Sequence, residues 1–212
     1  NSTAQTVTTN GKTLKNVTFN GVGGKWTLQD ALTCSVLTVT AGHFDSGSQN
    51  ISVTRFVSSN NNVRTISLGS SIVSLSTDAD LSSVGNLTWT ANTAVLRWST
   101  QSGISSGNQF DYQGLSLEWT AIGSVGATLF GAGIFKDLTC VGAAPTAFLS
   151  LNNNPVFTGT VSLSGNSSTN RPLIQSNTLG TTRVITAAAV SLTDVDFMDI
   201  AIVGPVGSTD RK

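Results

Sequence analysis

Apolar residues recur in this chain as pairs two positions apart. Val17 and Phe19, Trp26 and Leu28, Leu37 and Val39, and Ile51 and Val53 open the series. Ile66 and Leu68, Val73 and Leu75, Leu87 and Trp89, and Leu96 and Trp98 continue it. Leu115, Leu117 and Trp119, Val161 and Leu163, Val184 and Thr186, and Val195 and Phe197 complete it. The residues between them are mostly Ser, Thr and Asn. A period of two places one set of side chains on one face of an extended strand. Each segment is short, and Gly, Asn or Ser clusters interrupt the pattern every 8 to 12 residues or so, the spacing of an all-β sandwich, barrel or solenoid.

Helix-forming runs are scarce, and the β-branched and aromatic strand formers are plentiful. Only the stretch 141–149 could hold a helical turn, and Pro145 interrupts it. Hydrophobic residues make up 39% of the 212 residues and charged ones 10%, against about 25% charged in an average soluble domain. That balance describes a chain that buries a core rather than a disordered one. No shift in composition marks a linker, so residues 1–212 read as one domain. A sandwich needs hairpins with tight two-residue turns, whereas the turn segments here vary in length. A parallel solenoid stacks each coil on its neighbours and tolerates Ser, Thr and Asn outside. The pattern therefore predicts a right-handed parallel β-helix, with an antiparallel β-sandwich or jelly roll as the alternative. About 16 candidate strands at three per coil give about five coils. Asn60–Asn62 and Asn152–Asn154 are candidates for a shared Asn ladder. Open solenoid ends template further strands, which argues for a multi-chain setting.

Lys plus Arg and Asp plus Glu number 11 each, giving zero net charge. No basic excess exists to neutralise phosphates, which argues against a nucleic-acid partner. No apolar run reaches the roughly 18 residues of a membrane helix. The opening Asn1-Ser2-Thr3-Ala4 has neither the basic nor the apolar region of a signal peptide. Both termini are polar and read as those of a piece of a longer polypeptide or of a processed one. The two cysteines, Cys34 and Cys140, sit in similar strings, Leu32-Thr33-Cys34 and Leu138-Thr139-Cys140. Without His or Cys neighbours at ligand spacing, they read as small buried thiols on strands. A single disulfide is the minority alternative.

Candidates for chemistry are few, with one His and a single Glu, Glu118. The densest acidic cluster is Asp194, Asp196 and Asp199. Asp194 and Asp196 on one strand face would stand about 7 Å apart, within the span of a glycosidase pair. The competing reading has Val195, Phe197 and Ile200 inward and the three Asp in water. The same Asp set could bind a Ca²⁺ ion, which takes several oxygen ligands, but the spacing lacks the glycine of a Ca²⁺ loop. Asp78 and Asp80 read as a solvated turn, and Asp111 and Glu118 stand alone. His43 could serve a nucleophilic triad, but no Gly-X-Ser-X-Gly elbow is present. Gly21-Val22-Gly23-Gly24-Lys25 has a phosphate-loop flavour without the Ser/Thr and helix that must follow, and reads as a strand connection. Trp26, Trp89, Trp98 and Trp119 could make a sugar-stacking platform, but they share parity with neighbouring apolar residues and read as core. Five Asn-X-Ser/Thr sequons, at Asn1, Asn16, Asn50, Asn86 and Asn166, are about what this composition yields by chance. No catalytic, cofactor or metal residue is assigned, and no cofactor is expected.

The segments Phe19-Asn20-Gly21-Val22-Gly23-Gly24-Lys25-Trp26-Thr27-Leu28, Leu37-Thr38-Val39-Thr40-Ala41-Gly42-His43-Phe44-Asp45 and 58–71 carry a resemblance. Together they resemble the β-rich repeat segments of structural proteins of tailed bacteriophages and environmental viruses, of fibre, spike or virion-surface type. Residues 16–76 carry most of it, and Asp196-Phe197-Met198-Asp199-Ile200 looks similar to a later part of such proteins. The resemblance implies a virion structural protein: a β-helical part of a tail fibre or spike, or a capsid decoration. Such a protein is non-enzymatic and homo-oligomeric, contacts other virion proteins, and sits on the virion surface or tail, where it can meet a host-surface glycan. The alternatives are a β-helix polysaccharide depolymerase using Asp194, Asp196, Asp199, Asp111 or Glu118, and a bacterial surface adhesin or carbohydrate-binding module located extracellularly.

Overall fold

A computed structural model describes residues 4–98, 103–120, 126–141 and 146–204. Nineteen strands follow one another. They are β1 (Ala4–Val7), β2 (Thr13–Leu28), β3 (Leu32–Asp45), β4 (Ile51–Val57), β5 (Arg64–Ser67) and β6 (Ile72–Leu81). Next come β7 (Leu87–Thr90), β8 (Val95–Trp98), β9 (Gly103–Ser106), β10 (Ser116–Thr120), β11 (Gly126–Phe130), β12 (Ile134–Phe135) and β13 (Leu138–Val141). The last are β14 (Phe148–Leu151), β15 (Val156–Ser164), β16 (Leu173–Ser176), β17 (Arg183–Thr193), β18 (Asp196–Met198) and β19 (Ile200–Val203). Every pairing among the named strands is parallel. The antiparallel sandwich is thereby excluded. The described residues contain no helix; of the stretch with Pro145, 142–145 lie outside them and Phe148–Leu151 is strand.

Successive coils stack into a parallel β-solenoid of about eight turns, not five. Partner residues are separated by as little as 17 positions (Arg183 opposite Ile200) and as much as 30 (Val156 opposite Thr186). The undercount has a physical origin. β2 and β3, at 16 and 14 residues, continue through corners with a shift of register, so one strand serves two faces and a coil needs fewer than three separate strands.

Three faces enclose one core. On the first, Leu32, Ile51, Val73, Leu96, Leu117, Leu138 and Val161 lie in register, coil upon coil. Beside them run Cys34, Val53, Leu75, Trp98, Trp119, Cys140 and Leu163. The second face stacks Leu37, Phe56, Ala79, Ile104, Leu129 and Leu151. The third stacks Phe44, Ile66 and Trp89, and continues as an aromatic column. Trp89 meets Tyr112 edge-on with centroids 5.2 Å apart, Tyr112 stacks on Phe135 at 5.1 Å, and Phe135 on Phe157 at 5.9 Å. All of these are buried. Each fully buried Leu, Ile or Phe contributes about 1.5–3 kcal/mol, which is why inward positions are apolar while outward ones are free to be Ser or Thr.

Two inward assignments change. Ile185 and Ala187, not Val184 and Thr186, point inward, because Ile185 lies opposite Ile202 and Ala187 opposite Phe157. The string Val184-Ile185-Thr186-Ala187 is apolar enough in either parity to hide the choice. Trp26 is only partly buried. The Asn ladders also pair differently: Asn177 donates to Asn152 Oδ1 at 2.5 Å, Asn153 to Asn108 Oδ1 at 3.4 Å, and Asn86 to the Asn61 carbonyl at 2.7 Å.

Cys34 and Cys140 are both free and buried. They occupy the same inward row five coils apart, roughly 24 Å at about 4.8 Å per coil, far beyond disulfide reach. Burial raises the Cys34 thiol to about 11 and the Cys140 thiol to about 12. The expected result is that a thiol-specific chromogenic disulfide leaves both unlabelled at pH 8 in the native protein and labels two per chain in guanidinium. Rapid labelling before unfolding would contradict this placement.

Candidate functional site

Several outward carboxylates are held by partners on neighbouring coils, and others by their own turns. Asp194 and Asp196 do not share a strand face, because Asp194 is a bend residue at φ 50° and Asp196 begins β18. Both are gripped by Arg171, whose Nη1 lies 3.2 Å from Asp194 and Nε 2.8 Å from Asp196, while Nη2 donates to the Val195 carbonyl at 2.9 Å. Asp199 sits at φ 56° and accepts from the Gly180 N–H at 2.7 Å. A short Asp tolerates this left-handed geometry and closes the turn. Val195 is buried as expected, whereas Phe197, stacked on Ile174, and Ile200 are only partly covered on the last described coil.

Asp78 and Asp80 lie on strand β6 rather than in a turn. Arg55 pairs with Asp78 at 2.8 Å, and Asp80 accepts from the Ser82 hydroxyl at 2.7 Å. Asp111 accepts from the Gln113 N–H at 2.7 Å. Glu118 receives a two-pronged grip from Arg97, at 2.7 and 3.1 Å. This pair interrupts an otherwise hydroxyl-bearing outward row: Thr33, Ser52 and Ser74 precede it, and Thr139, Ser162 and Ser191 follow. Asp137, which the sequence did not single out, accepts from the Thr160 N–H at 2.7 Å and the Ser116 hydroxyl at 3.2 Å. With Glu118 it lines a shallow groove of about 380 Å³ on this face.

The solitary histidine has an unforeseen partner. His43 Nε2 lies 2.9 Å from Ser67 Oγ, across one coil. A spacing of 24 residues conceals the pair until the coil length is known. Burial lowers the His43 pKa, Lys25 lowers it further, and Asp45 pulls it back. A nucleophilic dyad also needs a group that orients the base, yet the nearby Asp45 carboxylate accepts instead from the Gly47 N–H at 2.9 Å. The lowered pKa has a sign for stability. The unfolded imidazole binds its proton at a higher pH than the folded one, so stability is full above the unfolded value of about 6.5 and falls as pH drops through the folded value. The urea midpoint is expected to decline between pH 7 and 5, and His43→Gln to flatten that decline. A slope unchanged by the substitution would remove His43 as its source.

Gly21–Gly24 form no phosphate loop. They bulge out of β2, which has four residues between Asn20 and Lys25 where β3 has only Gly42 between Ala41 and His43. The bulge lies on Trp26: a Cβ on Gly24 would come within 2.7 Å of the indole, and one on Gly42 within 2.4 Å of the Gly21 carbonyl. Gly42 has φ +86° and has no room for a side chain. Between this bulge and the corner before β5 lies an open groove of about 310 Å³.

No protein family, no curated protein and no solved structure matches the chain. Among the described residues, no group of three or more His, Cys, Asp or Glu could hold a metal ion. Nor is any helix among the described residues long and apolar enough to cross a membrane.

Proposed function

We propose that this chain is a non-enzymatic structural module, a β-helical section of a virion fibre, spike or surface decoration whose outer face meets glycans. The observation that carries the reading is the three-faced stack of coils, together with the commitment of Glu118, Asp194, Asp196 and Asp199 to cross-coil structural partners. Stacked ladder hydrogen bonds and a close-packed interior make a stiff rod. Right-handed coiling, which right-twisted strands favour in parallel crossovers, and a homo-oligomeric setting belong to the same reading. Its test is to locate the chain in its native source by mass spectrometry and cryo-EM. Many ordered copies on a particle are the expected result; a free or cell-attached protein overturns the virion assignment and promotes an adhesin.

The groove lined by Glu118 and Asp137 gives the depolymerase reading a place to stand. Two carboxyls flanking a polymer could act as acid and base. Their hydrogen-bonded engagement with Arg97, Ser116 and Thr160 weighs against it. Cleavage of acidic and neutral polysaccharides is expected to be undetectable with the intact chain. Activity abolished by Glu118→Gln or Asp137→Asn would establish the enzyme instead.

A further inference from the structure

The groove beside the Gly21–Gly24 bulge differs from the rest of the surface in three ways. Its walls are two of the most exposed large apolar side chains, Val22 at 90% and Val63 at 72%. Both face solvent on corners two coils apart, on either side of the Gly42–His43 coil, where nothing in the fold requires them. Its floor and rim carry Lys25, His43 and Arg64, and no acidic residue lines it. Lys25 makes no ion pair among the described residues. Arg64, 1% exposed beneath the floor, donates to the Ser58 hydroxyl and to the carbonyls of Ser58, Asn62 and Ser83, with no carboxylate among these partners. Its charge is therefore solvated by dipoles but not neutralised. Asp45, one outward position beyond His43, commits its carboxylate to the Gly47 N–H. The bulge that forms one wall lies against Trp26, where Gly21 and Gly24 leave no room for a side chain, and bulges of this kind re-aim side chains next to functional sites.

We infer that this groove binds a carboxylated sugar residue, with its apolar ring face between Val22 and Val63 and its carboxylate at Lys25. The Thr65 hydroxyl at the floor supplies a polar contact for a ring hydroxyl. A volume of about 310 Å³ is at the small end of ligand sites, which suits one unit of an acidic glycan rather than a long buried stretch. The charge assignment stands on the groove alone, while the choice of a sugar as its bearer rests on the glycan-facing part of the reading above.

The test is titration of the full chain by NMR and calorimetry with trigalacturonate and 3′-sialyllactose, against galactotriose, lactose and a sulfated lactose. At least one carboxylated probe is expected to bind ten-fold or more tighter than its neutral counterpart and to weaken as salt is raised. Lys25→Gln is expected to abolish that preference, and Val22→Ser or Val63→Ser to weaken binding several-fold, each with an unchanged circular dichroism spectrum and melting temperature. Equal binding of acidic and neutral probes, or a preference that survives Lys25→Gln, overturns the proposal. So does a lack of binding by both carboxylated probes at millimolar concentration. Sulfated lactose binding as tightly as the carboxylated probes overturns the carboxylate assignment. None of these outcomes alters the location of the chain on a particle, so the structural reading stands or falls separately.

Discussion

Replacing Arg64 by Ala is expected to lower the unfolding free energy by about 3–5 kcal/mol, read as a lower urea midpoint in tryptophan fluorescence with little change in slope. Arg64 opens β5 and is almost wholly buried. Its guanidinium ties the 58–62 corner to the Ser83 carbonyl one coil on. Burial lowers its pKa, the mark of a charge held away from water. Removing it leaves three carbonyls and a hydroxyl short of a donor, each costing about 1–3 kcal/mol where buried, and opens a cavity as well. Two further variants separate charge from connectivity. Arg64→Met fills much of the space and removes the charge but supplies no donor, so it is expected to be nearly as damaging as Ala. A buried ion is replaced harmlessly only when its polar partners are replaced too, and here those partners are backbone. Arg64→Lys keeps the charge on one ammonium that cannot span the same fork, and is expected to recover less than half of the loss. A loss under 1 kcal/mol in the Ala variant would show that water takes over the guanidinium's role.

Arg64 also marks the limit of what the sequence discloses. Within Asn60-Asn61-Asn62-Val63-Arg64 it reads as a solvated turn cation. Only the stacking of the Ser58 and Ser83 corners around it converts that position into core. The inward rows were legible because alternation is a local signal: Ile51 and Val53, or Leu115, Leu117 and Trp119, need no knowledge of their neighbours. The cysteines were legible for the same reason. Coil number was not, because β2 and β3 each run through a corner as one strand and serve two faces, so three strands per coil is too many. Pairings across coils were lost with it. The Arg171 grip on Asp194 and Asp196, the Arg97 grip on Glu118, the Ser67 partner of His43 and the Asn152–Asn177 contact all join residues 21 to 25 positions apart. A coil length that varies from corner to corner scrambles such spacings. The groove escaped for a different reason. Its glycine-rich wall invites comparison with phosphate loops, whereas its chemistry lies in Lys25 and two exposed valines set on separate coils.

Trp119→Ala is expected to cost about 3–5 kcal/mol, the range for deleting a buried indole, and the damage is expected to stay near its own coil. Trp119 sits in the inward row between Trp98 and Cys140, fully buried. In a solenoid each coil touches only its neighbours, so stability is close to a sum of coil and interface contributions. Hydrogen exchange should therefore rise in β8, β10 and β13 while β3 and β4, several coils away, keep their protection. Uniform loss across the chain would show that the rod melts as one unit instead. The indole itself separates packing from polarity. Trp98 and Trp119 Nε1 are buried and have no hydrogen-bond acceptor among the described residues, so packing and not polarity is what each ring supplies there. Trp119→Phe gives up part of that volume but also an unsatisfied donor, and is expected to cost no more than about half as much as Ala. Removing both tryptophans is expected to cost less than the two single losses combined, because the first cavity already strips the second ring of its neighbour. Strict additivity would mean that the two rings, though in register, support their coils independently, and the ladder would then be a row of separate contacts rather than a coupled stack.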